Sequence, residues 1–182
     1  MLKYRIIPTL LLKQNGLVKG IQFKNHTYVG DPVNVIRIFN TKEVDELILL
    51  DIEAYSNNSL KYDIIKNIVG ECFMPLTVGG GIKTVNDIEN LINIGVEKVV
   101  INTAAIENPN LITEVAQQFG SQAVIVAIDY KLNNNQYEVF IHSGTVPTGI
   151  TLEQHAKRVE QLGAGEIMIT SIDKEGTRKG YD

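Results

Sequence analysis

At 182 residues the chain is long enough to bury the core of one domain. Hydrophobic residues make up 44% and charged residues 21%, and the formal net charge is -4 with no long run of either sign, which leaves no electrostatic case for nucleic acid or an anionic membrane. One cysteine, Cys72, excludes an internal disulfide and a cysteine-rich zinc site.

The first apolar run predicts a strand over Arg5–Leu12. Asp31 followed by Pro32 places a good N-cap before a proline at the first helical position, and predicts a helix over Pro32–Asn40. Strands follow at Glu46–Asp51, Leu76–Val78, Lys98–Ile101, Ala123–Ile128 and Glu166–Thr170. Helices fall between them at Leu60–Val69, Thr84–Ile94, Asn108–Phe119 and Leu152–Leu162. Thr84 and Thr151 can cap their helices, and Gly95, Gly120 and Gly163 mark C-terminal ends. Asn133–Asn135 reads as the tip of a hairpin inserted near residues 130–144. Cys72, in Cys-Phe-Met-Pro, reads as packing. The N-terminus has no signal-peptide pattern, and no apolar run approaches the roughly 20 residues of a membrane span, so a cytoplasmic protein is expected.

Strands without alternation fit parallel strands buried on both faces. Strand–helix alternation argues for a parallel α/β protein, either an open doubly wound sheet or a closed barrel. An internal repeat favours the barrel. Glu46-Leu-Ile-Leu-Leu-Asp-Ile resembles Glu166-Ile-Met-Ile-Thr-Ser-Ile about 120 residues later, the spacing of two half-barrels. The expected fold is therefore a (β/α)8 TIM barrel, a single domain over 1–182 holding about six βα units. Six strands would leave two parallel edges unpaired, so a shortened chain, an absent remainder, or two copies completing one another is expected.

Thr77-Val-Gly-Gly-Gly-Ile-Lys-Thr runs from a strand into a helix. Gly79, Gly80 and Gly81 let backbone approach a ligand, and the following helix N-terminus can attract phosphate. A glycine-rich turn without a ligand remains the alternative. Asn102 and Thr103 follow the next strand on the same rim, as ligands or as an N-cap. Asp51 and Asp129 end apolar strands, where barrel enzymes place chemistry. Each could serve as acid or base, or anchor a loop; Asp173 is a weaker candidate. Arg5, Glu46, Lys98 and Glu166 sit at strand starts, on the opposite face, where a ring of ion pairs could form. His26 and His142 read as loop residues and His155 as helix surface, with no metal-ligand spacing among them. No cofactor and no metal are expected.

The stretches "RIIPTLLLK", "GLVKG", "DELILLDIEA", "TVGGGI", "VVINTAAIENPNLI" and "GAGEIMITSIDKEGT" are similar to the cyclase subunit of imidazole glycerol phosphate synthase, nearly end to end. The resemblance implies a (β/α)8 barrel that takes ammonia from a class I glutaminase docked below it. The ion-pair positions Arg5, Glu46, Lys98 and Glu166 then become an ammonia gate. A phosphorylated small molecule would be held near Gly81, Asn102 and Thr103, with a second phosphate near Glu175 and Gly176. Ser143 and Thr170 join Asp51 on the rim. Of two catalytic aspartates the second matches Asp129, while the first position is Leu11; Lys19, in a loop that closes over substrate, is kept. The stretches "LLLK" and "GDPVNVIRIFNTKEVDELILLDIEA" look closer to a branch associated with glycosyl amidation in surface-polysaccharide synthesis, where the barrel relays ammonia to a sugar amidotransferase. Ammonia relay is thus the first expectation, and true cyclase (lyase) activity in histidine biosynthesis the alternative.

Overall fold

The structure is a computed structural model describing residues 4–180. Six parallel strands form its frame: β1 (Thr9–Lys13), β4 (Leu47–Asp51), β5 (Leu76–Gly79), β6 (Lys98–Ile101), β7 (Val124–Asn133) and β10 (Glu166–Ser171), paired in that order. The remaining strands are β2 (Gly16–Ile21), β3 (Lys24–Gly30), β8 (Gln136–Ile141) and β9 (Val146–Thr151). The helices are α1 (Pro32–Lys42), α2 (Ala54–Asn57), α3 (Tyr62–Glu71), α4 (Val85–Ile94), α5 (Thr103–Glu107), α6 (Asn110–Phe119) and α7 (Leu152–Leu162). This is the arrangement of a partial (β/α)8 barrel, and the sheet does not close among the described residues.

Local chemistry sets the helix boundaries. The Asp31 carboxylate accepts from Asn34 N at 3.0 Å. Thr84 with Asp87, and Thr151 with Gln154, form capping boxes that satisfy otherwise orphaned N–H groups. Gly95 and Gly163 close α4 and α7 in the left-handed region. Gly120 instead ends α6 with an extended ψ of 148°, because a 3-10 turn over Ser121–Ala123 follows at once.

Period-two alternation sorts the strand side chains into two sets. Leu47, Leu49, Leu76, Val78, Val99, Ile101, Val124, Val126 and Ile128 face outward and pack in the main core against α1, α3, α4, α6 and α7. The alternate residues face the barrel axis. Ile48, Val100, Ile125 and Ala127, with Ile7, Leu50 and Met168, make a second apolar cluster there. This inner layer separates two polar ends.

The first strand begins at Thr9 rather than Arg5, and Arg5 lies in the segment before it. Two hairpin systems enlarge the C-terminal rim. β1, β2 and β3 form an antiparallel meander, as do β7, β8 and β9. In the second, Asn133 pairs with Gln136 across a turn with Asn134 and Asn135 at φ 48° and 61°, values that asparagine tolerates. The first turns at Gln22 and Phe23, both also at positive φ.

Candidate active site

The C-terminal ends of the parallel strands surround a cavity of about 910 Å³. Its wall includes Leu11 and Lys13 from β1, Asp51 after β4, Gly80 and Gly81 after β5, Asn102 and Thr103 after β6, Asp129 on β7, and Thr170 on β10. Ser143, Glu175 and Gly176 also line it. Gly79 faces the barrel interior instead, where a Cβ would meet Leu50 and Val100 at 2.7 Å. Lys19 is exposed on β2, outside the wall. Lys13 and Phe23 occupy the wall in its place, and the sequence reading passed over both.

The two strand-end aspartates have different environments. Asp51 is committed to structure: Oδ1 accepts from the Glu53 and Ala54 amides at 3.0 and 3.1 Å, and Oδ2 pairs with Lys61 Nζ at 2.8 Å. Asp129 instead meets two neutral partners, Asn102 and Thr170. Asn102 Nδ2 donates to Asp129 Oδ2 at 3.1 Å, and the Thr170 hydroxyl bonds it from the neighbouring strand. Burial among apolar walls pushes its pKa up to about 7, against the opposing pull of those two hydrogen bonds. A carboxyl titrating there can take or give a proton at neutral pH. Leu11 lines the same cavity and brings no titratable group to it.

The glycine loop serves packing in the first instance. Gly80 has φ 99°, and a Cβ there would collide with the Asp51 carbonyl oxygen. Part of the α4 N-terminus is satisfied from within the chain. Asp87 Oδ2 already accepts from the Lys83 and Thr84 amides at 3.1 and 2.9 Å, and Thr84 Oγ1 accepts from Asp87 N at 3.2 Å. The Asp87 carboxylate thus takes two of the amides that lead from the glycine loop into α4. Its signal was present in the spacing of Thr84 and Asp87. The α5 start, at Thr103, carries no side-chain cap.

Glu175 and Gly176 are engaged with the β2–β3 hairpin. Glu175 Oε2 accepts from Phe23 N at 3.0 Å, and its carbonyl accepts from Gln22 N at 3.0 Å. A Cβ on Gly176 would strike the Gly20 carbonyl oxygen. Asp173 lies outside the wall, with Oδ2 accepting from Leu132 N at 3.1 Å. His26 is on β3 and lines the cavity, and His142 sits in the β8–β9 turn. His155 is buried at 1% exposure rather than lying on the helix surface.

At the opposite end of the barrel, Arg5, Glu46, Lys98 and Glu166 form a closed ring of alternating charge. Arg5 pairs with Glu46; Lys98 Nζ lies 2.9 Å from Glu46 and 2.7 Å from Glu166; Arg5 returns to Glu166 at 3.7 Å. Burial lowers the Lys98 pKa, but the hydrogen bonds it donates to Glu166 and Glu46 outweigh that and leave the pKa raised. Cys72 bonds the Met74 carbonyl and is half-buried, with burial raising its thiol pKa, as packing would have it.

Among the described residues no His, Cys, Asp and Glu cluster could hold a metal ion, and no helix is long and apolar enough to cross a membrane. The family described as histidine biosynthesis protein matches residues 5–182. A Leptospira interrogans protein, provisionally named imidazole glycerol phosphate synthase subunit HisF, is 50% identical over 100% of this chain and 73% of its own length. Proteins named imidazole glycerol phosphate synthase subunit HisF from Sulfurisphaera tokodaii and Pyrococcus furiosus are 49% and 45% identical, over 98% and 100% of this chain and 72% and 73% of their own.

Proposed function

The chain belongs to the histidine biosynthesis protein family, and from that premise we propose that it is the ammonia-using barrel of a glutamine-dependent synthase. In this reading a glutaminase subunit releases ammonia below the ring of Arg5, Glu46, Lys98 and Glu166. The ring opens, and ammonia crosses the apolar inner layer of Ile48, Val100, Ile125 and Ala127 to the cavity. A phosphorylated ligand waits there, held at one end beside Gly81, Asn102 and Thr103. The relatives' names favour formation of imidazole glycerol phosphate as the reaction.

One observation carries the proposal: a single barrel interior holds, in vertical order, a charged ring, an apolar layer and a desolvated carboxyl. Neutral ammonia passes an apolar layer far more easily than ammonium does. Asp129, with a pKa near 7, would act as acid in one step and base in another. The Asn102 amide orients it for both.

A second reading is favoured by Leu11. A ring closure built on two carboxyls loses one proton-transfer group when the β1 position is hydrocarbon. The barrel would then relay ammonia onward to a third enzyme, with a sugar amidotransferase as the acceptor on resemblance alone. Nothing in the relatives' names mentions sugars.

The discriminating assay gives the protein ammonium salt and the ribulosyl intermediate of histidine biosynthesis. Turnover abolished by Asp129→Asn supports ring closure. Absence of turnover, with glutaminase-derived ammonia still captured by an added acceptor enzyme, supports relay. Absence of both refutes the ammonia-using barrel.

A further inference from the structure

Side chains from two other rim loops, Tyr55 and His142, meet on one carboxylate that no reading above uses. Glu107, at the end of α5, accepts the Tyr55 hydroxyl on Oε2, and its Oε1 lies 3.1 Å from His142 Nε2. The Tyr55 and His142 rings meet edge to face at 5.2 Å. Lys83 Nζ lies 4.2 Å above the Tyr55 ring. Tyr55 follows β4, Lys83 follows β5, Glu107 follows β6 and His142 follows β8. Desolvation, reinforced by the Glu107 hydrogen bond, raises the Tyr55 pKa to about 12, so the phenol remains a donor.

The consequence falls on Thr103. His142 has φ 51°, a conformation that costs a non-glycine residue free energy unless its surroundings hold it. In that conformation its backbone N–H donates to Thr103 Oγ1 at 3.1 Å. A hydroxyl that accepts there must turn its proton elsewhere. It now points toward Asn102 Oδ1 at 3.4 Å, a long contact that an anion in the cavity would replace. We infer that Glu107 is a positioning residue: through His142 it orients the Thr103 hydroxyl as a donor to a phosphoryl group bound in the cavity. This rests on the phosphate reading above.

The test is calorimetric titration of the full chain with glycerol 3-phosphate. Glu107→Gln and Tyr55→Phe should each weaken binding by roughly five- to tenfold, the scale of one ordinary hydrogen bond. In a Thr103→Val background, Glu107→Gln should add nothing further, because its route to the ligand is gone. A carboxylate that only stabilised the rim would give the same loss in both backgrounds, and that result overturns the inference. So does unchanged affinity in both single variants. Tyr55→Phe removes no charge and carries the test alone if Glu107→Gln does not fold. A wild-type chain that binds no glycerol 3-phosphate refutes the phosphate site itself, and the inference with it.

Discussion

Leu11 and Asp129 line one cavity from β1 and β7, strands that stand four places apart in the sheet. Both belong to the inward-facing set, so residue 11 contributes its side chain to the space that Asp129 faces. Leu11→Asp therefore adds a second carboxyl to that space. If ring closure is limited by that missing group, the variant should gain on the order of 10²-fold or more in ammonium-dependent turnover, followed by product formation. An unchanged rate would locate the defect elsewhere.

Asp129 is held at a free-energy cost. Its folded pKa, about 7, lies above the ordinary 3.8, so the folded protein binds its proton more tightly than the unfolded chain does. Stability falls as pH rises from about 4 to 7. Asp129→Asn should stabilise the protein at pH 8 by up to a few kcal/mol and have little effect at pH 4. Urea unfolding at the two pH values measures this.

His155 titrates with the opposite sign. Burial, assisted by Arg158, lowers its pKa from 6.5 to about 4. The unfolded chain therefore takes up the proton first. Stability is complete above pH 6.5 and declines toward pH 4, by up to about 3 kcal/mol. His155→Leu should flatten that part of the profile and also remove the buried, unpartnered Nδ1. Thermal melts at pH 7 and pH 5 of the variant beside the wild type distinguish it from the Asp129 effect.

Lys98 is the cation that holds Glu46 and Glu166 together, and its side chain and that of Glu46 are only 13% and 8% exposed. Lys98→Met leaves two neighbouring carboxylates with Arg5 alone, itself half exposed. A loss of about 3 kcal/mol in unfolding free energy is expected. Adding Glu46→Gln should recover part of it, whereas a strictly additive further loss would show that the ring is not a coupled unit.

The β2–β3 hairpin is tied to the loop after β10 by Glu175, whose carboxylate and carbonyl receive the amides of Phe23 and Gln22. Glu175→Ala removes one of those bonds and uncovers the strained turn at Phe23. Hydrogen exchange at residues 20–24 should quicken, with exchange in β5 and β6 unchanged. Equal exchange in both proteins would mean that the hairpin is held by packing alone.

The strand–helix order, the caps at Asp31, Thr84 and Thr151, and the placement of Glu46, Lys98 and Glu166 at or next to strand starts follow from patterns only a few residues long. Such patterns are legible in the chain itself, because backbone geometry and period-two alternation act locally. Even the capping box at the start of α4 could be read from Thr84 and Asp87. Folding alone brought out which polar groups are already spent. Asp51 is claimed by Lys61 and Glu175 by Phe23, Thr103 accepts from His142 and keeps its proton to donate, and Asp129 meets two neutral donors in an apolar wall. Those commitments, like the burial of His155, depend on partners brought close from distant parts of the chain, and a side chain's pKa and remaining hydrogen-bonding capacity are set by such neighbours rather than by residue type.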